Sequence, residues 1–176
     1  SSDLSRCRIE QVRGQAMWIE MCRHVTVEDN IIWRATGGCL LSFGNDWISI
    51  CRNQVYFVDD DAIVVSVNTP GSMTPDGVPR PPQIQGVVQG NRVFGCAAGI
   101  KAEGCRGVAM SGNTLAYTRR HAFHVKLLDL EPSDPGRASV SALAITGNTI
   151  LNQMSRAVLD PTAGGEGILW ITSQDD

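Results

Sequence analysis

Apolar and polar residues alternate in short bursts along this chain, and the bursts recur around a single asparagine. The copies are Val25-Thr-Val-Glu-Asp-Asn30-Ile-Ile32, Ile48-Ser-Ile-Cys-Arg-Asn53-Gln-Val55, Gly86-Val-Val-Gln-Gly-Asn91-Arg-Val93, Val108-Ala-Met-Ser-Gly-Asn113-Thr-Leu115 and Leu143-Ala-Ile-Thr-Gly-Asn148-Thr-Ile150. Alternation on both sides of the asparagine predicts two short strands, each with one buried face. The asparagine predicts the corner between them, because Asn tolerates left-handed backbone and its amide bonds nearby main chain. A third alternating segment follows nine or ten residues later, at Cys39–Phe43, Ile63–Val67, Ile100–Glu103, Phe123–Leu127 and Val158–Asp160.

The asparagines are 23, 38, 22 and 35 residues apart. Two intervals equal one repeat. The other two equal one repeat plus an insertion, and Pro/Gly-rich stretches at 68–85 and 128–139 supply the extra residues as surface loops. Three short strands per repeat, stacked on equivalent strands of the next, predict a right-handed parallel β-helix. It would be a single-stranded solenoid of about six to seven coils with three parallel sheets around a narrow core. Ala16–Met21 and Gly167–Ile171 supply incomplete end coils. The expected organisation is one domain over 1–176. Its exposed sheet edges suggest a fragment of a longer chain, or a homo-oligomer or further domains covering the ends.

Composition narrows the choice of partners. The 176 residues are 43% apolar and 19% charged, with net charge −3 and no basic run. That argues against nucleic acid, and no apolar run approaches the about 20 residues of a membrane-spanning helix. The six cysteines form no CxxC pair and flank no histidine at zinc-like spacing. They read first as buried thiols, with a disulfide framework as the alternative. The tryptophans read as corner or end packing, with Trp47 or Tyr56 as the candidates for stacking on sugar rings.

The asparagine-corner repeat resembles the right-handed parallel β-helix family, which includes pectate lyases, polygalacturonases and phage tailspikes. The resemblance spans roughly residues 16–171 and implies a polysaccharide or glycan as partner. It also implies an extracellular, cell-surface or virion-associated setting. Val58-Asp-Asp-Asp-Ala-Ile-Val-Val65 is similar to the Gly-Asp-Asp-Cys-Ile-Ala-Ile segment of polygalacturonases, and His124-Val-Lys126 to their Arg-Ile-Lys. Their Asn-Thr-Asp and Gly-His-Gly motifs have no counterpart near Leu40–Phe43 or Ala97–Ile100.

Strand alternation gives candidate chemistry of its own. With Cys39, Ile63, Ile100, Phe123 and Val158 as the inward column, Leu40, Val64, Lys101, His124 and Leu159 point outward. So do Ser42, Ser66, Glu103 and Lys126. Lys101 should then neighbour His124, and Glu103 should neighbour Lys126, about 4.8 Å apart. Asp59-Asp60-Asp61 would form an acidic rim and Arg119-Arg120-His121 a basic one. Asp60 or Asp61 with Glu103 is the candidate acid/base pair of a glycoside hydrolase. His124 is the candidate base of a polysaccharide lyase, and Lys101, Arg119, Arg120 and Lys126 are the candidate substrate-binding cations. Asp59, Asp60 and Asp61 together are the candidate ligands of a calcium ion (Ca2+). His121 and His124 should face opposite ways. The expectation is a carbohydrate-interacting module with hydrolase or lyase activity. The alternative is a catalytically silent structural or receptor-binding module, such as a tailspike shaft or an adhesin segment.

Overall fold

The computed structural model describes residues 2–20, 22–43, 45, 47–66, 85–105, 107–126, 143–151 and 169–172. Among these the chain is all-β. Its strands are β1 (Ser2–Ser5), β2 (Arg8–Val12), β3 (Met17–Glu20), β4 (His24–Glu28), β5 (Ile31–Ala35), β6 (Leu40–Phe43), β7 (Trp47–Cys51) and β8 (Gln54–Ser66). They continue with β9 (Gln85–Gln89), β10 (Arg92–Glu103), β11 (Val108–Ser111), β12 (Thr114–Ala116), β13 (His121–Lys126), β14 (Ala144–Thr146), β15 (Thr149–Leu151) and β16 (Leu169–Thr172). The expected loop at 128–139 and strand at 158–160 lie outside the described residues. So does the loop at 68–85, except for Gln85, which opens β9.

Every pairing is parallel, and each joins equivalent residues of successive repeats. The first sheet runs β1-β4-β7-β9-β11-β14 and carries the segment before each asparagine. Its inward residues stack in register, as in Val27↔Ile50↔Val88↔Met110↔Ile145. The second sheet carries the rest, with Ile9↔Ile32↔Val55↔Val93↔Leu115↔Ile150 as one inward column. Inward residues of both sheets form one apolar cluster.

Two sheets form where three were expected. In β8 and β10 the strand runs unbroken through the second bend, so the second and third strands of a repeat remain in one ten-stranded sheet. The third-strand register also differs by one residue in the Asn30 repeat. Leu40, not Cys39, stacks on Ile63, so Leu41 pairs with Val64 and Phe43 with Ser66. Cys39 precedes the strand, donating its N–H to Asp61 O. A one-residue slip exchanges the two faces, and Leu40, expected to point outward, is buried. At the other end, β16 pairs with β13, placing Trp170 opposite His124 and Thr172 opposite Lys126.

The asparagines form a continuous ladder. Asn30, Asn53 and Asn91 each donate both the backbone N–H and the side-chain Nδ2 to the Oδ1 of the next asparagine, at 2.9–3.1 Å. Asn113 does the same to Asn148 at 2.8 and 2.9 Å. The second Nδ2 hydrogen reaches the previous repeat, at Leu4 O, Val27 O, Ile50 O, Val88 O and Met110 O. In Asn53, Asn91 and Asn113 the amide uses both donors and its oxygen accepts twice, whereas the Asn30 oxygen accepts from Cys7 N. The left-handed residue is the one before the asparagine, contrary to expectation: Asp29, Arg52, Gly90, Gly112 and Gly147 have φ of 56° to 65°. That placement frees the asparagine to turn its amide inward.

A second, shorter column was not foreseen. Asn45, also fully buried, accepts from Cys22 N at 2.7 Å and donates to Ile19 O at 3.1 Å. Cys105 takes the equivalent place later in the chain, its thiol donating to Val65 O at 3.0 Å.

Asn53→Ala should therefore be costly. It strands the buried N–H of Asn30 and the carbonyl of Val27, at about 1–3 kcal/mol for each unsatisfied group and about 2–5 kcal/mol in all. Asn148→Ala, at the half-buried end of the ladder, should cost less. Urea unfolding of the two variants tests this, and equal losses would refute the ladder's role. Gly86 is a second sensitive point, since a Cβ there would lie 2.0 Å from Ile48 O. Gly86→Ala should lower the thermal midpoint, and an unchanged melting curve would contradict that close approach.

Candidate functional site

The outward face of the third-strand column gathers the charged residues. Because β10 pairs with β13 in unbroken register, Lys101 lies opposite His124 and Glu103 opposite Lys126, as expected. On the other side, Glu103 lies opposite Ser66 and Lys101 opposite Val64. Glu103 is the hub. Its Oε2 accepts from the Ser66 hydroxyl at 2.9 Å, and its Oε1 lies 3.3 Å from Lys126 Nζ and 3.7 Å from Lys101 Nζ. The cluster is recessed, with the Glu103 side chain only 16% exposed.

Recession decides the protonation states. Burial works to raise the Glu103 pKa, but Lys101, the Ser66 hydroxyl and Lys126 outweigh it and hold the carboxyl below the usual range. Asp61 goes the other way. Burial pushes it up, reinforced by Asp60 and Glu103 and only partly opposed by Lys101 and Arg120. His124 is pushed down to about 4, first by burial and then by Lys101 and His121, against the pull of Glu103. At neutral pH the face therefore presents an ionised Glu103 and a neutral imidazole beside Lys101 and Lys126. Beside them, Asp61 is a carboxyl that holds its proton more readily than an ordinary aspartate.

The other expected residues fall into separate places. Asp59 and Asp60 form a bulge in β8, where the register shifts between Val58↔Cys96 and Asp61↔Ala98. Both are exposed, whereas Asp61 is partly covered. The acidic and basic turns do not face each other across a groove. The Arg119 and Arg120 N–H groups bond to Cys96 O and Ala97 O, and Arg119 Nη2 reaches back to Asp59 O at 2.9 Å, with Asp59 Oδ1 at 3.9 Å. The two turns thus stack on one side, and Arg119 is engaged before any ligand arrives. Arg120 is exposed and near enough to influence Asp61.

Among the described residues no three His, Cys, Asp or Glu side chains converge on a point suited to a metal ion. Within the acidic run, Asp59 lies beside Arg119 and Asp61 feels Lys101. His121 and His124 do not face opposite ways. Their rings lie 5.4 Å apart at 60°, because His121 sits where the chain enters β13 and strict alternation has not begun.

Ser66, expected in the same outward column, donates its hydroxyl to Glu103. One feature was hidden in the sequence, an aromatic stripe at the second bend, where Trp33, Tyr56, Phe57, Phe94 and Tyr117 follow one another at centroid distances of 4.7–5.5 Å. Trp18, Trp33 and Trp47, expected as packing residues, are 51%, 39% and 42% exposed. The six cysteines are free thiols. Burial raises the pKa of Cys39 and pushes Cys96 and Cys105 up to about 12, so these three remain protonated and weakly reactive.

The state of His124 is directly measurable. Its folded pKa lies below the ordinary 6.5, so on acidification the unfolded chain takes up a proton that the folded chain declines. Stability tied to this residue is complete above about pH 6.5 and is lost as pH falls towards 4. An NMR titration should give an imidazole midpoint near 4, moved upward in Lys101→Ala, and a midpoint at or above 6.5 would remove this account.

No family model, curated protein or solved structure matches this chain.

Proposed function

We propose that the chain is a right-handed parallel β-helix module that binds an acidic polysaccharide on its third-strand face and hydrolyses it there. The fold reading rests on all-parallel pairing between residues one repeat apart, with right-handed crossovers as the sterically favoured hand. A glycan ligand of this class fits an extracellular, cell-surface or virion-associated setting.

One observation carries the activity: Asp61 and Glu103 have pKa values driven in opposite directions by their surroundings. Such divergence separates a general acid from its partner base. Asp61 donates its proton to the glycosidic oxygen as the bond to the anomeric carbon breaks. Glu103 takes a proton from the attacking water, or attacks the anomeric carbon itself, and the anomer released distinguishes the two routes. A substrate carboxylate competes for Lys101 and Lys126 and so frees Glu103 to act. Hydrolysis is favoured over elimination because His124, with a pKa near 4, is a weak base for removing a carbon-bound proton.

A specific observation favours the silent structural module as a second reading. Glu103 is already satisfied by Ser66, Lys101 and Lys126, as a purely structural ion cluster would be.

The deciding experiment incubates the protein with polygalacturonate, alginate and hyaluronan and follows reducing ends together with the absorbance of unsaturated uronates. New reducing ends are expected without unsaturated product, and Asp61→Asn and Glu103→Gln should each slow release by about 100-fold or more. No turnover on any polymer, or turnover indifferent to both substitutions, would establish the silent module instead.

A further inference from the structure

The second bend of each repeat carries a surface that the third-strand site does not use. An open cleft of about 490 Å³ lies there, lined by Arg13, Arg34, Thr36, Phe57 and Asp59 among others. That volume suits a small ligand or one or two rings of a larger one. The Asp59 carboxylate is paired with Arg119 at 3.9 Å. Arg13 and Arg34 have no carboxylate within ion-pairing distance among the described residues. The cleft therefore offers two guanidinium groups and calls for an anion, bound in the forked geometry that carboxylates suit.

The aromatic stripe leads away from this cleft. Phe57 lines the cleft and touches both Trp33 and Phe94, and Phe94 touches Tyr117. Trp33, Phe57 and Tyr117 are 39%, 42% and 38% exposed. Arg34, Phe57 and Tyr117 all sit in left-handed backbone, with φ of 63°, 55° and 55°. For bulky side chains that conformation is uncommon and marks a position held for some purpose. Gly95 occupies the equivalent position in the Asn91 repeat, and a Cβ there would come within 3.0 Å of the Phe57 ring. The missing side chain lets the ring lie over it.

We infer that this bend is a second, independent binding surface for an acidic carbohydrate, whose carboxylate is held by Arg13 and Arg34 and whose sugar rings lie along Trp33, Phe57 and Tyr117. A glycan fits better than a single-stranded nucleic acid. Bases stack face to face on aromatic platforms, whereas these rings are tilted against one another at 44–79°. A flexible chain of sugars needs only exposed apolar edges and faces at intervals, and stacked strands supply them about every 4.8 Å. The surface shares only its ligand class with the third-strand site and requires nothing of Asp61 or Glu103.

The test uses oligogalacturonate and oligomannuronate as probes, with methyl-esterified oligogalacturonate as the uncharged control. Backbone amide shifts at Arg34 and Phe57 report occupancy of the bend in the folded protein. At least one acidic probe should move these signals and the methyl ester should not. Arg34→Asn, which keeps a residue tolerant of left-handed backbone, and Trp33→Ala should each weaken binding about tenfold. Glu103→Gln should leave the shifts at the bend unchanged even though it silences the third-strand site. Absence of shifts with both acidic probes, equal binding of the methyl ester, or undiminished binding by Arg34→Asn would each overturn the inference. So would a dimer that Trp33→Ala dissolves, since the stripe would then be a protein interface. Failure of hydrolysis with these shifts intact would sink only the catalytic proposal.

Discussion

The structure depends on satisfying buried amides at the corners. A chain that turns sharply once per repeat leaves backbone N–H and C=O groups pointing into a space that water does not enter, and each would be costly if left unpaired. Asparagine solves this with one side chain, because its amide offers two donors and an oxygen that accepts twice. At Asn53, Asn91 and Asn113 all of those groups are consumed by the neighbouring repeats. The ladder fixes which residue of one repeat lies above which residue of the next. The position of Glu103 over Ser66 and under Lys126 is thus a consequence of where the chain turns at Asn53, Asn91 and Asn113.

This explains what was legible in the sequence. Five asparagines in one motif announced the repeat, and their spacing placed Lys101 beside His124 and Glu103 beside Lys126 with no knowledge of the side chains around them. The second column was concealed because different residues share it: Cys22, Asn45 and Cys105 occupy equivalent corners. The third-strand register of the Asn30 repeat was misread for a related reason. Cys39 is as apolar as Leu40, and only its N–H bond to Asp61 O shows that the strand has not yet begun.

The candidate site divides in the same way. Pairwise neighbours follow from register, but burial does not, and burial separates Asp61 from Asp59 and Asp60 in an otherwise uniform acidic run. The contact between the His121 and His124 rings and the engagement of Asp59 by Arg119 arise where the chain bends, and there alternation stops being a guide. The aromatic stripe was obscured because its members come from two adjacent columns, Trp33, Tyr56 and Phe94 in one and Phe57 and Tyr117 in the next.

The left-handed positions at the second bend carry a wider implication. Gln11, Arg34, Phe57, Gly95 and Tyr117 adopt nearly the same backbone conformation, and only glycine does so without steric penalty. Replacing the bulky members by glycine would relax the backbone while erasing the rings and charges displayed there. The fold keeps side chains at the corners where they are least comfortable, so durability and surface display pull in opposite directions at this edge. A variant selected purely for heat resistance would drift towards a smoother and more anonymous bend.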